Sequence, residues 1–314
     1  MEQDGSQNQL DYLLAPCIGA YSPRSIKGYS SDLRIFIDWC RARSCEWLPS
    51  KPQAVADFVD EQVEQHCIST IKRRLCAIAF AHRMRDLPVP VDANVVRLAV
   101  RRAIRQRASR PKQVRGLTNA IRARVAHSCP GTTAGLRDTA LISVGYDTLC
   151  RSSELSAMHV EHIRFDTEGT ATLLIPRTKS DPGGAGRVAH LSPETTELLD
   201  RWLDVSKLRG GPLFRSLHLG RPHDGPLATS SIRRIIKRAT LRAGLDARVA
   251  SELSGPSMRI GAAQDMLVAG FDALAIMLAG GWKSASVVLR YVENASTREV
   301  HKRRWRQIAG GSKR

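Results

Sequence analysis

The chain has 314 residues, a formal net charge of +18 and a pI near 10.3. That length suffices for two domains with separate cores, and so large a positive excess favours a polyanionic partner, because Lys and Arg that neutralise phosphates release condensed counterions. No apolar run approaches a membrane span, residues 1–8 lack the pattern of an export signal, and the seven cysteines are scattered with no CxxC pair, so a membrane partner, a zinc site and a disulfide framework are all disfavoured. Reduced thiols in a cytoplasmic setting, with no metal or cofactor, are the expectation.

In chain order, residues 1–20 read as a disordered tail. From residue 22 to 42, apolar Ile26, Leu33, Phe36, Ile37 and Trp39 recur at helical spacing, Ser22 or Ser25 can cap the start, and Lys27 lies on the opposite, polar side with Arg24 and Ser30. Residues 52–64 read as a second helix that buries Val55, Phe58 and Val59. The next helix opens at Ser69, turning Ile71, Leu75, Ile78 and Ala79 inward and Lys72, Arg73 and Arg83 outward, a face suited to a major groove. For any one of these cations a solvated surface position is the simpler reading. Residues 92–107 give a further helix ending in a run of arginines. Residues 108–116, with Arg110, Pro111 and Lys112, carry charge without apolar period and read as a basic linker lying along the polyanion.

Beyond the linker, residues 120–126 and 135–146 are helical, and the second is largely apolar. Arg151 then starts a new helix with Glu154 one turn on. Residues 160–165, 171–175 and 188–191 look like short strands, with a glycine-rich turn holding Lys179 between the last two. Residues 193–208 and 226–243 return to helix. On the latter, Ser230, Arg233, Arg234 and Lys237 share one face at i, i+3, i+4 and i+7, while Ile232, Ile235, Ile236 and Ala239 fill the other. That polar face is either a groove reader or simply solvated.

The stretch 259–291 organises the rest. Arg259 opens an apolar helical pattern that runs through Ile276, Gly280-Gly281-Trp282 follows, and Tyr291 stands nine positions beyond the tryptophan. With Arg151 and Glu154 upstream, this ordered set resembles the tyrosine recombinases of the phage integrase family, over about residues 22–291. No single match is specific, since Arg-x-x-Glu recurs in many helices; the conjunction is.

The resemblance implies a mainly α fold with a small β-sheet in the C-terminal domain. It also implies a helical, SAM-like core-binding domain at 21–107 and an α+β catalytic domain at 117–314 that ends in an oligomerisation helix. It implies an enzyme that cuts and rejoins DNA through a 3′-phosphotyrosine, as a tetramer on a duplex bearing an inverted-repeat site, in bacterial cytoplasm or encoded by a phage, plasmid or transposon. Tyr291 would be the nucleophile, Arg151 and Arg259 the guanidinium clamp on the phosphate, and Glu154 a group that orients a neighbouring donor. Lys179 would protonate the leaving 5′ oxygen, and Trp282 would donate one hydrogen bond or wall off the site.

One position departs from the pattern: the family's histidine, three residues before the second arginine, is Pro256 here. Proline offers no side-chain donor and no backbone N–H. Its loss motivates an alternative, a recombinase-derived DNA-binding protein with weak or no cleavage. A relaxing enzyme with the same chemistry is a further alternative.

Overall fold

A computed structural model describes residues 3–107, 114–176, 186–293, 301–302, 304–306 and 308. Contacts divide the chain into two units, Met1–Pro111 and Lys112–Arg314.

Among its described residues the N-terminal unit has helices and no strand: α1 (Gln3–Leu14), α2 (Pro23–Arg41), α3 (Pro52–Gln65), α4 (Ile68–Arg83) and α5 (Asn94–Gln106). Its starts follow from local chemistry. Ser22 accepts a hydrogen bond from the Ser25 amide at 3.1 Å, and Pro23 and Pro52 occupy first-turn positions, where a missing N–H costs nothing. The helix α3 packs on α5 and α2 on α4, closing a core around Phe36, Phe58, Val59, Ile71 and Ile78.

The expected disordered tail over residues 1–20 is corrected here. Residues 3–14 form α1, and Leu10, Leu13 and Leu14 bury into the same core, each worth about 2 kcal/mol of burial. Their i, i+3, i+4 spacing is a helical stripe, masked in the sequence by the polar residues before it. The indole of Trp47 also donates to Gln9 Oε1 at 3.1 Å, holding the helix in place.

The C-terminal unit contains α6 (Asn119–His127), α7 (Thr133–Asp147), α8 (Ser152–Ser156), β1 (Ile163–Phe165), β2 (Ala171–Ile175), β3 (Arg187–Leu191) and α9 (Pro193–Ser206). It continues through β4 (Arg215–His218), β5 (Arg221–Pro226), α10 (Thr229–Arg242), α11 (Ala247–Glu252), α12 (Ser257–Ala269), α13 (Ala273–Gly280) and α14 (Ala285–Val292). The first three strands form an antiparallel sheet in the order β1-β2-β3, in which Leu173 pairs with Ile163 on one side and Ala189 on the other. Alternation along β2 turns Ala171, Leu173 and Ile175 into the core. The pair β4-β5 is a separate hairpin that the sequence pattern misses, because Arg, His, Asp, Gly and Pro dominate it. The fold is thus mainly α with small antiparallel sheets confined to the C-terminal unit. Among the described residues no single helix is long and apolar enough to cross a membrane.

The apolar pattern from Arg259 through Ile276 is two helices, not one. The first, α12, stops at Gly270, and Asp272 then caps α13 by accepting from the Ala275 amide at 2.7 Å. The break lets α13 and α14 fold back beside α12, where Leu149, Ala262, Ala263, Ile276, Trp282, Val288 and Val292 form a small second core. Tyr291 packs against this cluster.

Candidate functional site

Three local structures converge on that second core. The first is the turn that ends α7. Leu149 adopts φ 51 there, a left-handed conformation that costs a β-carbon residue about 1 kcal/mol or more, and Cys150 behind it is fully buried. The turn is pinned through its carbonyls, Leu149 O accepting from Arg259 Nη1 and Thr148 O from Arg187 Nη2. It delivers Arg151 to the start of α8.

Glu154, one turn on, accepts from the Arg151 amide at 3.0 Å and from Arg151 Nη1 at 2.6 Å. This carboxylate is buried. It therefore caps α8 and orients the guanidinium at once, and a solvated surface ion pair is not what the sequence has built.

The second structure is α12. Arg259 is 1% exposed, yet among the described residues its Nε and Nη2 meet no hydrogen-bond partner. Burial lowers its pKa to about 10, and the neighbouring charge of Arg151 adds to the fall; Glu154 and Tyr291 oppose it. The guanidinium stays charged at neutral pH and is held in a site that supplies less negative charge than it needs. Pro256 is the N-cap residue of α12, its carbonyl accepting from the Ile260 amide at 3.0 Å. The Ser257 hydroxyl is buried beside it and accepts from the Ser254 amide at 2.8 Å.

The third is the Gly-Gly-Trp corner between α13 and α14. A β-carbon on Gly280 would lie 2.1 Å from the Trp282 ring, so its absence lets the indole fold back under the helix end. Gly281 takes φ 63 as the helix cap, and a β-carbon there would meet Arg187 Cδ at 2.9 Å. The Trp282 ring, placed this way, stacks under Arg259 with Cζ 4.0 Å from its centroid. Its Nε1 is buried with no partner among the described residues. The ring of Tyr291 follows at 5.6 Å between centroids, on α14, which Val288 and Val292 anchor.

Arg151, Glu154, Arg259, Trp282 and Tyr291 are therefore brought together by the fold, although they span most of the unit. Buried N–H groups left without acceptors cost about 1–3 kcal/mol each. Arg259 Nε and Nη2 and Trp282 Nε1 are such groups, and with the Arg151 guanidinium and the Tyr291 phenol beside them they suit an oxygen-rich anion.

Lys179, Arg110 and Lys112 lie outside the described residues. Lys27 and Lys72 are exposed on α2 and α4. Arg73 is exposed too, but its guanidinium forks onto the buried carboxylate of Asp32 at 2.7 and 2.8 Å, a partner the helical pattern does not announce. Ser230, Arg233, Arg234 and Lys237 share the outer side of α10, opposite buried Ile232, Ile235, Ile236 and Ala239. Arg187 reaches the site without having been read from the sequence, where it fell between the glycine-rich turn and the strand expected at 188–191.

The phage integrase family profile matches residues 109–298, more than half of the chain. The recombinase Cre of Escherichia phage P1 is 30% identical over 293 residues, covering 88% of this chain and 85% of that protein. An integrase/recombinase XerD homologue of Selenomonas ruminantium is 26% identical over 283 residues, covering 87% and 82%. In fold, the chain resembles XerH site-specific recombinase bound to palindromic difH substrate, with a TM-score of 0.67 at 18% identity over 95% of this chain and 84% of that one. It also resembles a lambda integrase dimer bound to a COC′ core site, at TM-score 0.61 and 15% identity over 93% and 96%. On the ordered motif, the matching profile and a similarity that covers most of the chain, the chain belongs to the phage integrase family, the tyrosine site-specific recombinases.

Proposed function

We propose that this protein cuts and rejoins DNA at a specific paired site through a 3′-phosphotyrosine on Tyr291. In the first step the phenol gives up its proton to solvent as its oxygen bonds to phosphorus, the bond from phosphorus to the 5′ oxygen breaks, and that oxygen takes a proton from Lys179, which matches the family's donor. In the second step a 5′ hydroxyl of the other duplex displaces the tyrosine, so no water and no energy source is consumed. The observation that carries this reading is the set of unmet donors, Arg259 Nε and Nη2 and Trp282 Nε1, buried next to Tyr291. Arg151, held by Glu154, supplies the second guanidinium. Both arginines would bind the non-bridging oxygens more tightly as charge grows in the transition state.

Pro256 removes one donor from the family's set but leaves the arginine pair, so cleavage slowed rather than abolished is the reading that fits. The outer face of α10, with Lys27 on α2 and Lys72 on α4, supplies the proposed DNA contacts. Assembly into a tetramer on inverted repeats is supported by exposed apolar groups, Phe271, Leu274, Leu278 and Leu289 around α13 and α14 and Trp305 and Ile308 near the C-terminus.

Two differently labelled duplexes carrying the site found by footprinting the DNA beside the gene test the whole reading. Recombinant-length products should form with the parent chain and not with Tyr291→Phe. A chain truncated after Glu293 should still bind a half-site while losing cooperative occupancy of the full site. Relaxation of supercoils with no joined product would point to the relaxing enzyme instead, and tight site binding with no strand cut would point to a DNA-binding derivative.

A further inference from the structure

Arg187, the first residue of β3, places one guanidinium between the ends of two helices. Its Nη1 donates to Ala279 O at 3.0 Å, and its Nη2 donates to Thr148 O and, at 3.5 Å, to Cys150 Sγ. Ala279 lies in the last turn of α13 and Thr148 is the C-cap of α7. Carbonyls at such positions have no intrahelical partner, and the negative end of each helix dipole favours a cation there. The stem passes so close to Gly281 that a β-carbon would lie 2.9 Å from Cδ and 3.1 Å from Nε.

What these two helix ends deliver is the point of interest. Ala279 stands three residues before Trp282, and Thr148 three residues before Arg151. A single side chain thus braces both corners from which the site is assembled, and the nearby Arg259 feels its charge. Only a planar fork can serve two carbonyls on separate elements in fixed geometry; an ammonium offers the same charge as a point.

We propose that Arg187 is a positioning residue for strand cleavage, holding Arg151 and Trp282 in register with Arg259 by bridging the ends of α7 and α13. The proposal rests on the recombinase reading above. It assigns Arg187 no contact with the phosphate.

The test compares the parent chain with Arg187→Lys and Arg187→Met, each made with 5-fluorotryptophan at its five tryptophans, the Trp282 resonance being assigned from Trp282→Phe. The probe DNA is a nicked suicide duplex of the footprinted site. In Arg187→Lys the Trp282 resonance should shift or broaden while the other four stay in place. Affinity for the duplex should hold within about twofold while single-turnover cleavage falls by about 10- to 100-fold, the cost of a displacement near 1 Å in an assembled site. Arg187→Met should fall at least as far.

Cleavage by Arg187→Lys within twofold of the parent overturns the proposal, since charge alone would then suffice. So does a joint fall of binding, cleavage and unfolding temperature with all five resonances altered, the mark of a general brace. If the parent itself forms no covalent adduct, the recombinase reading fails separately. The Trp282 resonance then decides the bridge, and an unmoved signal in Arg187→Lys overturns it.

Discussion

The two units treat an arginine's guanidinium in opposite ways. On α4 of the N-terminal unit, Arg73 finds Asp32, and the fold completes both ends of the pair, Nε to Oδ2 at 2.7 Å and Nη2 to Oδ1 at 2.8 Å. On α12 of the C-terminal unit, Arg259 is more deeply buried and gives one N–H to Leu149 O, while Nε and Nη2 go unmet. The first arrangement is a brace between helices. The second leaves donors without partners among the described residues, at a cost to the stability of the free protein, and an anion from outside the chain would complete it. Unmet donors alone do not make a site, for Arg74, beside Arg73, also keeps Nε and Nη1 without partners among the described residues. What sets Arg259 apart is that Trp282 lies under its guanidinium and Tyr291 stands beside that ring.

The largest effect that can break this contrast is at Arg259 itself. Arg259→Met should slow covalent adduct formation by about 10²- to 10³-fold, the range lost when a transition-state donor is removed. The same change should make the DNA-free chain more stable. A pKa lowered to about 10 means that the folded state disfavours the charged form, on the order of 3 kcal/mol at neutral pH. That penalty is present below about pH 10 and fades as pH rises through it, so the gain over the parent should be seen at pH 7 and shrink in strong alkali. Part is lost with the bond to Leu149 O and the ring contact with Trp282, leaving a net gain of about 1–2 kcal/mol in chemical denaturation. A less stable Arg259→Met at pH 7 would show that Arg259 is a brace like Arg73.

A smaller effect sharpens the contrast from the other side, by adding a donor. Pro256→His should speed single-turnover cleavage of a suicide duplex by about a hundredfold, the lower end of the range for acid–base assistance, without tightening DNA binding. A slower variant that still folds would mean that the site has been rebuilt around the proline. The smallest expected effect is at the completed pair. Asp32→Asn should lower the stability of the N-terminal unit by about 1–2 kcal/mol, discounted because the Arg73 side chain is 65% exposed. Cleavage of DNA already bound should be unchanged. A fall in cleavage at saturating DNA would give Arg73 or Asp32 a role beyond bracing.

Much of this was legible in the sequence, for definite reasons. The 3.6-residue period gave α2 through α5, and on α10 every residue assigned to the inner face is buried. Arg151, Glu154, Arg259, Trp282 and Tyr291 were named from their order along the chain, and the fold gathers them around one small core. The misses share a cause. The helix α1 was hidden because three leucines followed a polar start, and the hairpin β4-β5 because its residues carry no strand preference. Gly270 ended a helix whose apolar pattern ran straight across it. Arg187 left no sequence signal, since its partners are backbone carbonyls 39 and 92 positions away, and a carbonyl has no letter in the sequence.

The account's central claim is that Tyr291 attacks a phosphate held by donors the chain leaves unmet. Its most direct test is to trap the reaction on a nicked suicide duplex, digest the protein and map the modified peptide by mass spectrometry. The peptide containing Tyr291 should carry a phosphonucleotide linked through the tyrosine oxygen to the 3′ end of the cut strand, and the Tyr291→Phe chain should yield none. An adduct on Tyr12, Tyr21, Tyr29 or Tyr146, or a cut strand ending in a free 3′ phosphate from a protein that carries no nucleotide, would contradict the account.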